Sequence, residues 1–128
     1  MYISENDAEL IGTNVDRTDG KDRLRPSGGS LVKLVQTAAG NVPVTVMGKP
    51  DTFGFDLLRK QHSLEEKPLD KFLMVGDNLE TDILMGNNCG IDSLLVLSGV
   101  TNVARTQTIL QKAKKGETLE TEGVPTYV

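Results

Sequence analysis

The sequence predicts an α/β fold, a Rossmann-like parallel sheet with flanking helices. Three observations carry this. Short apolar or β-branched runs at 42–48, 72–76 and 91–99 alternate with stretches of helical spacing at 30–40, 78–90 and 101–115. The turns between them are short, as in strand–helix–strand units that lay strands parallel. The run "FLMVG" is uninterrupted, the pattern of a parallel strand buried on both faces.

Taken in order, "AELIGTN" (8–14) reads as a short strand ending in a polar turn, and 15–29, rich in Gly, Pro, Asp and Ser, as a long loop. In 30–40, Leu31, Leu34, Val35 and Ala38 share one helical face and Gly40 stops the helix. After the strand 42–48, the segment 49–63 opens with Pro50 and Asp51, suited to a first turn, and continues as a helix. A polar connector (64–71) leads into the strand 72–76. The next helix, 78–90, ends at Gly86 or Gly90. The strand 91–99 and the helix 101–115, capped by Thr101 or Asn102, follow. The polar tail closes with a short strand.

The bulk numbers narrow the function. The chain has 128 residues, enough for one domain with a modest core. Its net charge is −4 with no basic cluster, which argues against nucleic acid as a partner. No apolar run approaches the roughly 18 residues that would cross a bilayer. The polar, acidic start is no secretory signal. One cysteine, Cys89, cannot form an internal disulfide and fits a reducing, cytoplasmic setting.

In open parallel sheets, ligands bind beyond the carboxyl ends of the strands. Those ends hold Asn14 and Asp16, Gly48-Lys49-Pro50, Gly76-Asp77 and Ser98-Gly99. Asp77 leaves the apolar strand, and Asp82 follows in the first turn of the next helix. Two acids there suit a hard divalent cation, since magnesium takes one or two carboxylates and completes its shell with water and phosphate oxygens. The plainer reading is a helix cap and a dipole partner. Lys49 would project over the same mouth and neutralise a phosphoryl group, or be a solvated surface lysine. Asn14 and Asp16 could bond a substrate or simply form an Asx turn. His62, at a helix end, supports no nucleophilic triad. Cys89 reads as a small half-buried residue, and "SGGS" (27–30) offers helix-start amides without a full phosphate-loop pattern.

Taken together and in this order, "IGTNVD", "PSGGSLVKLV", "MGKP", "MVGDNLETDI" and "GIDSLLVLSGVT" resemble the C-terminal half of the haloacid dehalogenase-like phosphatases, in the p-nitrophenylphosphatase / phosphoglycolate phosphatase branch. The resemblance covers about residues 9–128. It implies magnesium-dependent hydrolysis of phosphomonoesters through an aspartyl phosphate. By its motifs, Lys49 matches the lysine that stabilises the phosphoenzyme and Asp77 the acidic ligand of Mg2+. Asp82 matches the second acid at the metal, in support. Asn14 and Asp16 match positions near the cap–core junction and the substrate.

The departures are as specific. The family needs an N-terminal strand ending in D-x-D-G, which supplies nucleophile and general acid/base, and no D-x-D occurs in this chain. "DRTDG" (16–20) spaces its acids three apart. The second phosphate-binding motif and the cap are also missing. We therefore expect a single partial core domain over 1–128, with 1–20 the end of the cap and the cap-to-core junction. The expectation is a fragment, inactive alone; the alternative is a catalytically dead α/β interaction module that retains the acidic pocket. A receiver-like signalling domain fits worse, because its paired acids would follow the first strand. The expected partners are a small phosphorylated metabolite, as substrate of the full-length parent, and a second copy of the chain in a homodimer. Lost sheet neighbours should leave unpaired edges and apolar surface.

Overall fold

The computed structural model describes residues 2–19, 25–117 and 119–128. A one-turn helix α1 (Tyr2–Glu5) precedes β1 (Leu10–Gly12). The segment expected to be a long loop carries a small antiparallel ladder, β2 (Thr18–Asp19) with β3 (Arg25–Pro26), paired Thr18 to Pro26 and Asp19 to Arg25. Residues 20–24 of that segment, and with them the end of "DRTDG", lie outside the described residues.

Then come α2 (Gly28–Ala38), β4 (Val44–Val46), α3 (Phe53–Gln61), a tight turn at Leu69–Lys71 and β5 (Leu73–Gly76). A wide helical turn, Leu79–Ile83, runs directly into α4 (Leu84–Asn88). The chain continues through β6 (Asp92–Leu95) and α5 (Val103–Lys114). Helix α3 starts at Phe53 rather than at Pro50. Asp51 instead accepts the Phe53 N–H at 2.7 Å, and the Asp51 N–H closes a turn onto the Gly48 carbonyl at 2.9 Å. Gly86 is buried inside α4. Gly90, at φ +68°, takes the left-handed conformation that ends the helical run, a backbone state glycine adopts without a Cβ clash.

The four strands β1, β4, β5 and β6 pair in parallel, and among the described residues they form two pairs rather than one continuous sheet. β1 pairs with β4, Leu10 opposite Val44 through Gly12 opposite Val46. β5 pairs with β6, Leu73 opposite Asp92 through Gly76 opposite Leu95. Each pair is bridged by a helical crossover, as parallel strands require. Tyr127 adds one parallel bridge to Leu94, bonding the backbone of Ser93 and Leu95, so the tail's strand is reduced to an isolated bridge.

The core lies in the second half. Leu79, Ile83, Leu95 and Ile109 are fully buried, with Leu119 and Val124 packed against them. The expectation that β5 is buried on both faces is corrected: Leu73 and Val75 are 50% and 54% exposed. Among the described residues β5 has a ladder partner on one edge only, and a two-stranded sheet cannot cover both its faces. On α2, Leu31 and Leu34 are likewise exposed, as is Ile11 of β1. Apolar side chains are thus left open on both ladders and on α2. At the start of β5, Phe72 meets Phe55 of α3 edge-on at 5.1 Å, with the Arg59 guanidinium 5.7 Å from both rings.

Candidate active site

The carboxyl ends of β4 and β5 open onto a cleft of about 680 Å³. Its walls include Asp16, Lys49, Asp77 and Asp82, and Glu120 and Thr121 from the tail.

Asp82 sits in the wide helical turn after β5 and is 5% exposed. Its Oδ2 accepts the N–H groups of Asp77 and Asn78, both at 3.1 Å, and its Oδ1 accepts Lys49 Nζ at 2.6 Å. The turn points the carboxylate back across the exit of β5. The close approach needs Gly76, because a Cβ there would fall on the Asp82 side chain. Both Asp82 oxygens are therefore engaged by protein donors.

Asp77 is held differently. Its Oδ2 accepts the Val100 N–H at 2.6 Å and its carbonyl accepts the Thr101 N–H at 3.0 Å, both from the loop after β6. Gly99 is obligatory for this packing, since a Cβ would overlap the Asp77 carboxylate. The other oxygen, Oδ1, has no hydrogen-bond partner among the described residues. The plainer roles expected of this pair divide. The helix cap is Asn78, whose side chain accepts the Glu80 N–H at 2.9 Å, which frees Asp77 to line the cleft.

Lys49 follows β4 and is joined to Pro50 by a cis peptide bond. It is no free surface lysine. The hydrogen bond it donates to Asp82 raises its pKa above the ordinary 10.5; burial opposes this, and the charges of Asp82, Asp16 and Asp77 add to the rise. The ammonium thus stays charged over the cleft at neutral pH, with one face on Asp82 and its side chain 45% exposed.

Asn14 and Asp16 separate. Asn14 Oδ1 accepts the Asp16 N–H at 3.1 Å, the Asx turn that was the plainer alternative, and its amide packs against the start of α2 at Gly28. Asp16 reaches the cleft wall. Cys89 is half-buried, and burial followed by the charges of Asp56 and Asp51 raises its thiol pKa, the opposite of an activated nucleophile.

Sequence reasoning missed the backbone donors Val100 and Thr101, although the glycine after β6 marked that strand end. It also missed the tail, which no local signal places at the cleft. Gly123 N–H bonds the Leu79 carbonyl at 2.8 Å, the Asn87 side-chain amide brackets Val124 by both its N–H and its C=O, and Arg105 ion-pairs with Glu80 and Glu122. These contacts set Glu120 and Thr121 into the wall.

For a magnesium ion, the fit is one-sided. Asp77 lines the cleft with Oδ2 engaged by the Val100 N–H, and a hydrated magnesium needs few protein ligands. Among the described residues, no three carboxylate, histidine or cysteine side chains gather into a cation site. Of the two acids, Asp82 has both oxygens engaged by Lys49 and two amides.

Parallel strands thus deliver a lysine and two acids to one cleft of an α/β core. Residues 46–120 match the HAD-hydrolase-like family model, and the chain belongs to that family, the haloacid dehalogenase-like hydrolases. It is 40% identical over 100 residues to the glycerol-3-phosphate phosphatase of Gallus gallus, covering 76% of this chain and 30% of that protein. It superposes on the 4-nitrophenylphosphatase of Thermotoga maritima with a TM-score of 0.72 at 27% identity, over 95% of this chain and 42% of that one. The glycerol phosphate phosphatase of Mycobacterium tuberculosis, whose structure is a complex with magnesium, matches at a TM-score of 0.63 and 34% identity, over 77% of this chain and 28% of that one. The chain thus spans about a third of the length of the curated relative.

Proposed function

We propose that this chain carries the lysine and metal-acid part of a magnesium-dependent phosphomonoester hydrolase of the p-nitrophenylphosphatase type. The observation that carries the reading is the 2.6 Å Lys49–Asp82 pair, which joins two strand ends beside the open oxygen of Asp77. In this role Asp77 binds the cation directly. When bound, magnesium would draw charge from the phosphoryl oxygens. Lys49 places a fixed positive charge against the same group, and needs no reorganisation because Asp82 already holds it. Asp82 acts in support: through the Asp77 and Asn78 amides it fixes the backbone that aims Asp77. Asp16, with Asn14 shaping its turn, faces the substrate at the cap-to-core junction, which we assign to residues 1–20.

The substrate class is a small phosphorylated metabolite, in line with the names of the relatives, and the setting is cytoplasmic. The sequence has no D-x-D to supply the nucleophile, so the chain alone is inactive. The exposed Leu73 and Val75 favour self-association as a homodimer, and they are what a catalytically dead interaction module would also use.

The test is a magnesium titration followed by amide NMR, alongside hydrolysis of p-nitrophenyl phosphate. We expect no turnover, and shifts at Gly76–Asn78 and Val100 that vanish in Asp77→Asn. Magnesium- and Lys49-dependent turnover by this chain would overturn the inactive-alone reading. Identical magnesium responses in the two proteins would overturn the metal role of Asp77 and leave the interaction module.

A further inference from the structure

Lys49 lies on an irregular turn, so something must hold its backbone while Asp82 holds its tip. Three contacts are available. The Gly48–Asp51 turn closes on itself, and the Asp51 side chain caps the Phe53 N–H. The third reaches across 38 residues: Asn88 Nδ2 donates to the Pro50 carbonyl at 2.9 Å. Asn88 is the last residue of α4, the helix that the Asp82 turn runs into. The neighbouring Asn87 is bound at a different place, both ends of its amide on Val124 of the tail.

We infer that Asn88 is a positioning residue for Lys49: its amide ties the turn after β4 to the end of the helical run whose start presents Asp82. The lysine and its acid then form a closed loop of contacts. Asp82 holds the ammonium at one end of the helical run, and Asn88 holds the next peptide of the lysine's own turn at the other. Without the Asn88 bond, the hydrogen bond that ties the turn to this helical run among the described residues is that of the Lys49 side chain, four rotatable bonds long. The ammonium then samples positions off Asp82. For the hydrolase reading, on which this role in catalysis rests, a freed Lys49 no longer presents its charge at one place. Asn88 is exposed and contributes nothing to the core, so replacing it leaves the fold in place.

The readout is the exchange of the Lys49 ammonium protons with water, followed by NMR at low temperature in slightly acidic buffer and assigned with Lys49→Arg. Hydrogen bonding to Asp82 slows that exchange. Asn88→Ala removes the tie, and Asn88→Asp keeps the size but removes the donor. Both should speed Lys49 exchange by about three- to tenfold, the range one hydrogen bond spans. Asn87→Ala, which frees only the tail, should leave it unchanged. Two results overturn the inference: exchange in both Asn88 variants equal to the parent chain, or equal acceleration by Asn87→Ala. A Lys49 signal unprotected in the parent chain would also overturn it. The measurement uses neither magnesium nor phosphate. A failed magnesium response at Asp77 therefore sinks the hydrolase reading and leaves Asn88 standing, and the reverse also holds.

Discussion

Replacing Asp82 by Ala removes three hydrogen bonds from one nearly buried carboxylate. The two amide bonds, from Asp77 and Asn78, are made to a charged acceptor in a half-buried setting. Together they are worth about 3 kcal/mol, because both donors lose their partner at once. The Lys49 bond adds about 1 kcal/mol at most, since that side chain is 45% exposed and water screens it. The total, about 3–4 kcal/mol, is a large part of a stability of roughly 5–15 kcal/mol for a domain of this kind. Asp82→Asn keeps one oxygen for the amides and turns an N–H toward the ammonium, so it should cost about 1–2 kcal/mol. Urea unfolding at neutral pH reads both values. With a slope of about 1.5 kcal/mol per M, the alanine midpoint falls by about 2 M and the slope is unchanged. A loss below about 0.5 kcal/mol in Asp82→Ala, or equal losses in the two variants, would refute the assignment of both amides to this carboxylate.

Two further outcomes follow from the same geometry. Because the folded pKa of Lys49 lies above its unfolded value of 10.5, its pairing stabilises the fold fully below 10.5 and is lost as pH rises through the folded value. Stability should therefore decline above about pH 10.5 in the parent chain by more than in Lys49→Met, measured by urea midpoints across that range. Gly99→Ala should displace the Asp77 carboxylate and cost about 1–3 kcal/mol, whereas Gly54→Ala, with open space around it in α3, should stabilise by up to about 1 kcal/mol. Thermal unfolding of the pair gives the two signs.

The alternation of apolar runs and helical spacing, read along the chain, determined the class of fold, the order of the main strands and helices, and which strand ends to examine. That was legible because period and turn residues are local properties. Lys49, Asp77 and Asp82 were found for the same reason: each lies within a few residues of a strand end, and strand ends face ligands in parallel sheets. Asp16 and Asn14 were legible as a turn but not as separate roles, since the choice depends on which side chain the turn directs into the cleft.

Only the tertiary structure decided the rest. The pairing of strands into two ladders left Leu73 and Val75 open, although "FLMVG" alone reads as a doubly covered strand. Burial depends on neighbours, and a run of apolar residues does not carry its neighbours with it. The division of labour between the two acids was likewise decided in three dimensions. Asp82 turns inward to two amides and a lysine 33 residues away, while Asp77 keeps one oxygen free because Val100, 23 residues on, occupies the other. Hydrogen bonds across such separations have no local signature, since the loop between the partners does not encode them. The sequence alone determined which charged residues stand at these strand ends; the fold decided that they share one cleft and which of their oxygens are engaged there.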